Sequence, residues 1–298
     1  MSGTTEHRLS RRQFLHGAMA LAGGIATFGP QEVLASERSG DDAHWAFLSD
    51  THISRNSRNR YRGFYPYQNL QEITGQLTSN LPDGVIITGD LARLRGRSGD
   101  YRNLKKLLTP VAQKRPIHLA TGNHDNRDNF LNTFQNTGSH EWRVGGKRIV
   151  TVKTSSVNLI LLDSLLFVDL PWGRLGQAQR KWLKTYLEVC DETPTILCLH
   201  HPVKGFGSLL DGDSLLKIIK PMPKIKAVVH GHSHEFAFRQ IDGIHMISLP
   251  ATGYNQLNRE PVGWVDAHLT GAEGVFTLNA VDGNTRQHGH TERLRWRT

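Results

Sequence analysis

The sequence predicts an α/β fold. Short apolar runs alternate with amphipathic stretches of helical period through the middle of the chain. After residue 244 the pattern carries strands only. Five short motifs rich in Asp, His and Asn each follow an apolar run within a residue or two. Alternating units build a sheet with helices on its faces, and the late run of strands suggests a second sheet.

The elements follow in order along the chain. Residues 45–49 read as a strand, and residues 67–81 as a helix stopped by Pro82. Residues 85–88 form a β-branched strand, and 100–114 are helical in period, ending before Pro116. A strand at 117–120 precedes two paired strands at 149–153 and 159–162. Residues 175–188 are helical, with Leu175, Trp182, Leu183 and Leu187 as the apolar positions. Strands at 195–199 and 227–229 flank a helix near 214–220. The strands at 245–249, 262–268 and 275–280 close the pattern. With no low-complexity linker and no internal repeat, one domain is expected over residues 40–298. The polar tail beyond Asp282 is expected to be loosely ordered.

The formal charge of the 298 residues is +9 with His neutral. That balance favours anionic partners: phosphate esters, nucleic acid or an anionic membrane surface. Cys190 and Cys198 are too few for a disulfide framework, and no C-x-x-C pair exists. Both read as small buried hydrophobes.

Residues 1–35 read as an address. Ser10-Arg11-Arg12-Gln13-Phe14-Leu15 precedes a modest Ala- and Gly-rich apolar run, and Val33-Leu34-Ala35 offers small residues for cleavage. The segment resembles a twin-arginine signal, S-R-R-x-F-L-K, with His16 in place of the Lys. The resemblance implies the twin-arginine export machinery as a partner and a periplasmic or secreted location. That route carries folded proteins, so metals can be acquired before export. The apolar run is short of the roughly 20 residues that span a bilayer, so no stable membrane span is expected. Residues 1–35 hold three Arg and two Glu, so their removal leaves +8, and the basic character belongs to the remainder.

The motifs that carry chemistry are Asp50-Thr51-His52, Gly89-Asp90, Gly122-Asn123-His124-Asp125, His200-His201-Pro202 and Gly231-His232-Ser233-His234. In open α/β sheets the ligand crevice lies beyond the carboxyl ends of the strands, so five segments deliver Asp, His and Asn to one place. Imidazole suits Zn and Fe, and carboxylate and amide oxygens suit harder ions such as Mn. A mixed N/O set without thiolate fits a pair of divalent cations better than a closed structural zinc site. Asp90 can bridge two ions. Asp50, His52 and one further His remain for the first, and Asn123 with two His for the second. Spacing by two in Asp50-x-His52 and His232-x-His234 puts both side chains on one face if the backbone is extended. The glycines before Asp90, Asn123 and His232 allow close backbone approach.

The order D-x-H, GD, GNHD, H-x-P, GH-x-H resembles that of the calcineurin-like metallophosphoesterase superfamily, over residues 50 to 234. The resemblance implies a four-layer sandwich of two mixed β-sheets flanked by helices. It implies Asp50, His52, Asp90, Asn123, His200, His232 and His234 as metal ligands, with His201 behind them. It places His124 beside the substrate, oriented by Asp125. The expected cofactors are two divalent or transition ions, Mn, Fe or Zn. The D-x-H start and GNHD are similar to the bacterial cyclic-nucleotide phosphodiesterase-like branch. Purple acid phosphatases read D-x-G and GD-x-x-Y instead; here His52 and Arg93 stand at those places.

The expected reaction is hydrolysis of phosphate esters, diesters first, by a bridging hydroxide held between two ions roughly 3.5–4 Å apart. His124, next to a ligand, would assist the leaving group. A phosphomonoesterase or a nuclease on the same centre, or a catalytically silent metal- or polyanion-binding protein, are the other readings. Two loops on the metal side are unusually basic, one holding Arg55 and the other Arg93 and Arg95. Their forks match phosphate oxygens, so Arg55, Arg93, Arg95 and His201 are the expected substrate contacts. Small phosphate esters head the substrate list, with nucleic acid and phospholipid headgroups behind them. Tyr61, Phe64, Tyr65 and Tyr67 could stack on a base or acyl-glycerol body, or cap the core.

Overall fold

The computed structural model describes residues 42–134 and 140–298. The expected address at residues 1–35 lies outside them. No helix among the described residues is long and apolar enough to cross a membrane.

Two mixed sheets lie at the centre. The first contains β1 (Ala43–Leu48), β2 (Gly84–Ile87), β3 (Ile117–Leu119), β11 (Pro261–Leu269), β12 (Glu273–Gly283) and β13 (Thr291–Arg295), in the order β13-β12-β11-β1-β2-β3. The second contains β4 (His140–Val144), β5 (Lys147–Lys153), β6 (Asn158–Leu162), β7 (Thr195–Leu199), β8 (Ile225–His230), β9 (Ala237–Ile241) and β10 (Ile244–Ser248), in the order β4-β5-β6-β7-β8-β10-β9. β1, β2 and β3 are parallel, as are β6, β7, β8 and β10. The chain-terminal strands add antiparallel edges.

The burial pattern shows why the central strands read as unbroken apolar runs. In β7, Ile196 and Cys198 enter a core shared by the two sheets, while Leu197 and Leu199 face the outer helices. β1 does the same, with Trp45 and Phe47 inward and Ala46 and Leu48 outward. Strands buried on both faces have no polar side to alternate with. Helices α1 (Pro66–Ser79), α2 (Ser98–Ala112) and α3 (Arg127–Thr133) cover the first sheet. α4 (Gln177–Val189) and α5 (Gly212–Ile219) cover the second. The result is helix, sheet, sheet, helix, as expected.

Leu197 is fully buried between β7 and the helices. Leu197→Ala is expected to cost about 2–5 kcal/mol of stability. Urea unfolding should show this as a lower midpoint with an unchanged slope.

Among the elements not expected from the sequence, three are instructive. α3 spans only 7 residues, too few for a periodicity; the Asn126 side chain starts it, accepting from Asn129 N–H at 3.0 Å. β9 is a partly exposed edge strand with little apolar pattern. The third corrects the loose tail. β13 pairs with β12, and Leu294 and Trp296 enter the core between the sheets. Arg297 donates to the carbonyls of Ile219 at 3.2 Å and Lys220 at 3.1 Å, closing the end of α5. A tail whose few apolar residues are spaced by polar ones still folds when a sheet edge awaits it. Cys190 and Cys198 are both free.

Candidate metal centre

The parallel strands of both sheets end on one side of the molecule, and the motif residues follow them there. Asp50 and His52 follow β1, Asp90 follows β2, and Asn123 follows β3. His200 follows β7, and His232 and His234 follow β8. Asp50, His52, Asp90, Asn123, His200 and His234 are buried, and His232 is partly so.

Their polar atoms converge in two adjoining groups. In the first, Asp50 Oδ1 lies 3.2 Å from His234 Nε2 and 3.9 Å from His52 Nε2. The two ring nitrogens are 3.3 Å apart. In the second, His200 Nε2 lies 3.2 Å from Asn123 Oδ1 and 3.3 Å from Asp90 Oδ1. The His232 ring stands edge-on to the His200 ring, with centroids 5.1 Å apart. Asp90 joins the groups, since its Oδ2 faces His52 Nε2 at 3.8 Å.

The backbone conformation behind this convergence is uncommon. Asp50, His52, Asp90, His232 and His234 all have positive φ, between 46° and 68°. Non-glycine residues seldom take this left-handed conformation, and where they do it clusters at functional sites. The spacing by two therefore works through left-handed residues, and the extended backbone expected for both pairs is corrected. Two of the expected glycine roles are visible. A Cβ on Gly122 would stand 2.2 Å from Asp90 Oδ1, and one on Gly231 would stand 2.4 Å from Asp50 Oδ2.

Surrounding hydrogen bonds orient the ligand atoms. His234 Nδ1 donates to the Tyr254 carbonyl at 2.7 Å, which turns Nε2 toward Asp50. Thr88 donates to Ser49 Oγ at 2.7 Å, Ser49 donates to Asp50 Oδ2 at 2.5 Å, and His232 N–H donates to the same oxygen at 3.0 Å. Tyr254 packs on both His52 and His234, with ring centroids 4.6 and 5.0 Å away.

The charge balance calls for cations. Burial alone would raise the Asp50 and Asp90 carboxyls; neighbouring histidines, His234 for Asp50 and His200 for Asp90, outweigh it and hold both well below the usual range. Burial lowers His52 to about 3, and burial with the charge of His200 lowers His232 to about 4, so both rings are neutral. Burial opposes the charge on His200 too, yet Asp90 and Asp50 raise it to about 9. Asp50 Oδ1, and the Nδ1 atoms of His52 and His200, are buried with no hydrogen-bond partner among the described residues. Paired buried carboxylates, neutral imidazoles and an amide oxygen with unused lone pairs fit two divalent or transition ions.

His124 stands at the edge of this set. Its Nε2 lies 3.9 Å from Asp90 Oδ2, and its Nδ1 donates to the Leu94 carbonyl at 2.9 Å. Asp169 Oδ1 is 3.6 Å from the same Nδ1. The expected orienting role of Asp125 is corrected. Its oxygens accept from Gly122 N–H at 2.8 Å, Ala92 N–H at 3.0 Å, Leu91 N–H at 3.1 Å and the Tyr101 hydroxyl at 3.0 Å. Asp125 ties the loop after β2 to the loop after β3. Burial and nearby Asp90 raise its carboxyl to about 6 against those donors.

The expected substrate contacts divide. The Arg93 guanidinium lies 4.0 Å over Tyr61 and 5.9 Å from Tyr254, beside the first group. Arg95 lies 3.5 Å from Asp169 and so next to His124. Arg55 is seated against Gly99 at the start of α2, its N–H donating to Asp100 Oδ1 at 2.6 Å. His201 is fully buried, with Ser164 Oγ 2.8 Å from its Nδ1, and its ring packs against those of His200 and His232. Asp169 and Tyr254 escaped the sequence reading, because each stands in a loop without a motif. A cleft of about 920 Å³ opens from Asn123, His124 and His232 toward Pro171 and Gln256.

Two packed mixed sheets with Asp, Asn and His gathered beyond their parallel strand ends define a phosphoesterase. The chain belongs to the calcineurin-like phosphoesterase family, whose model matches residues 44–236. It is 25% identical over 243 residues to a probable cyclic nucleotide phosphodiesterase of Vesicomyosocius okutanii, covering 78% of this chain and 95% of that one. It is 25% identical over 251 residues to a 3',5'-cyclic-nucleotide phosphodiesterase of a Nostoc species, covering 78% and 89%. Its fold is similar to that of a dimetal phosphatase from Danio rerio, with a TM-score of 0.65 at 14% identity over 85% of this chain and 99% of that one.

Proposed function

We propose that this hydrolase cleaves phosphodiesters, small ones foremost, using two divalent or transition ions held at the site. Asp50, His52, Asp90 and His234 would hold one ion, and Asp90, Asn123, His200 and His232 the other. The observation that carries this reading is the convergence of these seven side chains from five strand ends, with Asp90 between the two groups. Bound ions would supply charge stabilisation at the phosphoryl group and an activated water at neutral pH.

The chain's own residues do the rest. His124 Nδ1–H donates to the Leu94 carbonyl, which turns Nε2 toward the site; with both ring nitrogens protonated, Nε2–H would pass its proton to the departing oxygen and leave the ring neutral. Asp169 Oδ1 lies 3.6 Å from the same Nδ1, on the far side of the ring from Asp90. Arg93, held on Tyr61, and Arg95 offer guanidinium groups to phosphate oxygens. The two curated relatives are named as cyclic nucleotide phosphodiesterases, which supports a diester as substrate.

The test is hydrolysis of bis(p-nitrophenyl) phosphate against p-nitrophenyl phosphate after loading with Mn2+, with bound metal counted separately. Metal-dependent turnover that favours the diester is the expected result. Preference for the monoester would overturn the diester reading, and tight metal binding without turnover of either would leave a silent binding protein. The Ser10–Leu15 segment supports export of the folded chain by the twin-arginine route. Replacing Arg11 and Arg12 with Lys is expected to keep the chain in the cytoplasm, as fractionation would show.

A further inference from the structure

The large apolar side chains that remain exposed among the described residues are confined to five loops, all at the strand ends that carry the metal centre. Phe167, Val168 and Trp172 stand on the loop after β6, Phe206 and Leu210 on the loop after β7, and Leu257 on the loop after β10. Tyr61, Tyr65 and Leu94, on the loops after β1 and β2, complete the set. Scattered exposed hydrophobics need no explanation, but a set gathered on one side does. Phe206 is 85% exposed, Phe167 67% and Leu210 62%. Ordinary packing does not use these side chains.

The loops after β6 and β7 are held against each other. Leu210 N–H donates to the Gly173 carbonyl at 2.8 Å, Gly173 N–H donates to the Ser208 carbonyl at 3.2 Å, and the Trp172 and Phe206 rings are 6.1 Å apart. Asp169 N–H donates to the Asn123 carbonyl at 2.7 Å, which fixes the β6 loop to the metal centre.

Charge selects the partner. The same five loops expose nine Arg or Lys side chains, Arg58, Arg62, Arg97 and Lys204 among them. Their one exposed acid is Asp169, which is paired with Arg95. Apolar and aromatic side chains ringed by cations match a surface with anionic headgroups over an apolar interior. Nucleic acid would use the cations but leave Phe167 and Leu210 in water.

We propose that the face carrying the metal centre docks on a bilayer containing anionic phospholipid, with Phe167, Phe206 and Leu210 entering the headgroup region. Docking would set the cleft against phosphodiester headgroups. The inference is tested without activity, so it stands or falls apart from the phosphoesterase reading.

The test uses the full chain with vesicles of phosphatidylcholine, with and without phosphatidylglycerol. Co-sedimentation should require phosphatidylglycerol, weaken as salt rises, and drop about tenfold or more in the double variant Phe167→Ser and Leu210→Ser. An environment-sensitive dye on Phe167→Cys should be quenched by brominated lipid, which isolates this face from any contribution of residues 1–41. An unquenched dye on vesicle-bound chain overturns the proposal, as does a wild-type chain that stays in the supernatant. If the double variant instead converts a dimer in free solution to a monomer, the patch covers a second copy and the proposal fails.

Discussion

Asp90→Asn is expected to lower metal-dependent turnover of bis(p-nitrophenyl) phosphate by about a thousandfold or more. Metal content should fall with it. Asp90 faces both ligand groups, with Oδ1 toward His200 and Oδ2 toward His52. The amide keeps an oxygen that can accept from His124 N–H, a bond of 2.8 Å in the wild type, so the GNHD loop should stay in place. What is lost is the negative charge between the two groups. Removing it also removes the largest charge that keeps a proton on His200. Turnover within tenfold of wild type, with metal content intact, would refute the shared role of Asp90. A circular dichroism spectrum and melting temperature close to wild type would separate this loss from misfolding.

His124→Ala should show a loss that depends on the leaving group. With an alkyl ester, whose departing oxygen needs a proton, kcat should fall by about 10²–10⁴. With a p-nitrophenyl ester, which departs as a stable anion, the loss should be about tenfold or less, reflecting only positioning. The geometry behind this is the ring's orientation, with Nδ1 on the Leu94 carbonyl and Nε2 near Asp90. His124 is not among the side chains assigned to the ions, so metal content should be unchanged. Equal losses on both esters would rule out proton donation and leave His124 a positioning residue.

The sandwich was legible in the sequence because burial on both faces leaves a plain signature. Residues 195–199 of β7 and 45–48 of β1 are apolar without interruption, and each sends alternate side chains to different layers. Where a strand lies at an edge, the signature fades, as in β9 and β13. α3 was hidden because two turns of helix carry too few apolar positions for a period. In the site, residue types and their order were legible because the chemistry demands particular donors after strands. The left-handed backbone was not, since Asp and His take positive φ more often than most residues but still only in a minority of cases. Nor was the true neighbour of His124. Asp125 follows it in sequence, but its carboxylate turns inward to four donors, and Asp169, 45 positions on, arrives by a loop. Adjacency along the chain is a poor guide to which acid a histidine meets.

The candidate ligands are drawn from both sheets: Asp50, His52, Asp90 and Asn123 from the first, and His200, His232 and His234 from the second. Neither half of the molecule owns a complete site. A nascent chain that has built only β1, β2 and β3 can offer ions a few scattered oxygens and one imidazole, and would hold them loosely. Once the sheets close, ions at the site would act as rivets through the seam, favouring the closed state by mass action. Uptake of metal would thus mark the end of folding, and a chelator would be felt as a loosening between layers before any single strand gives way.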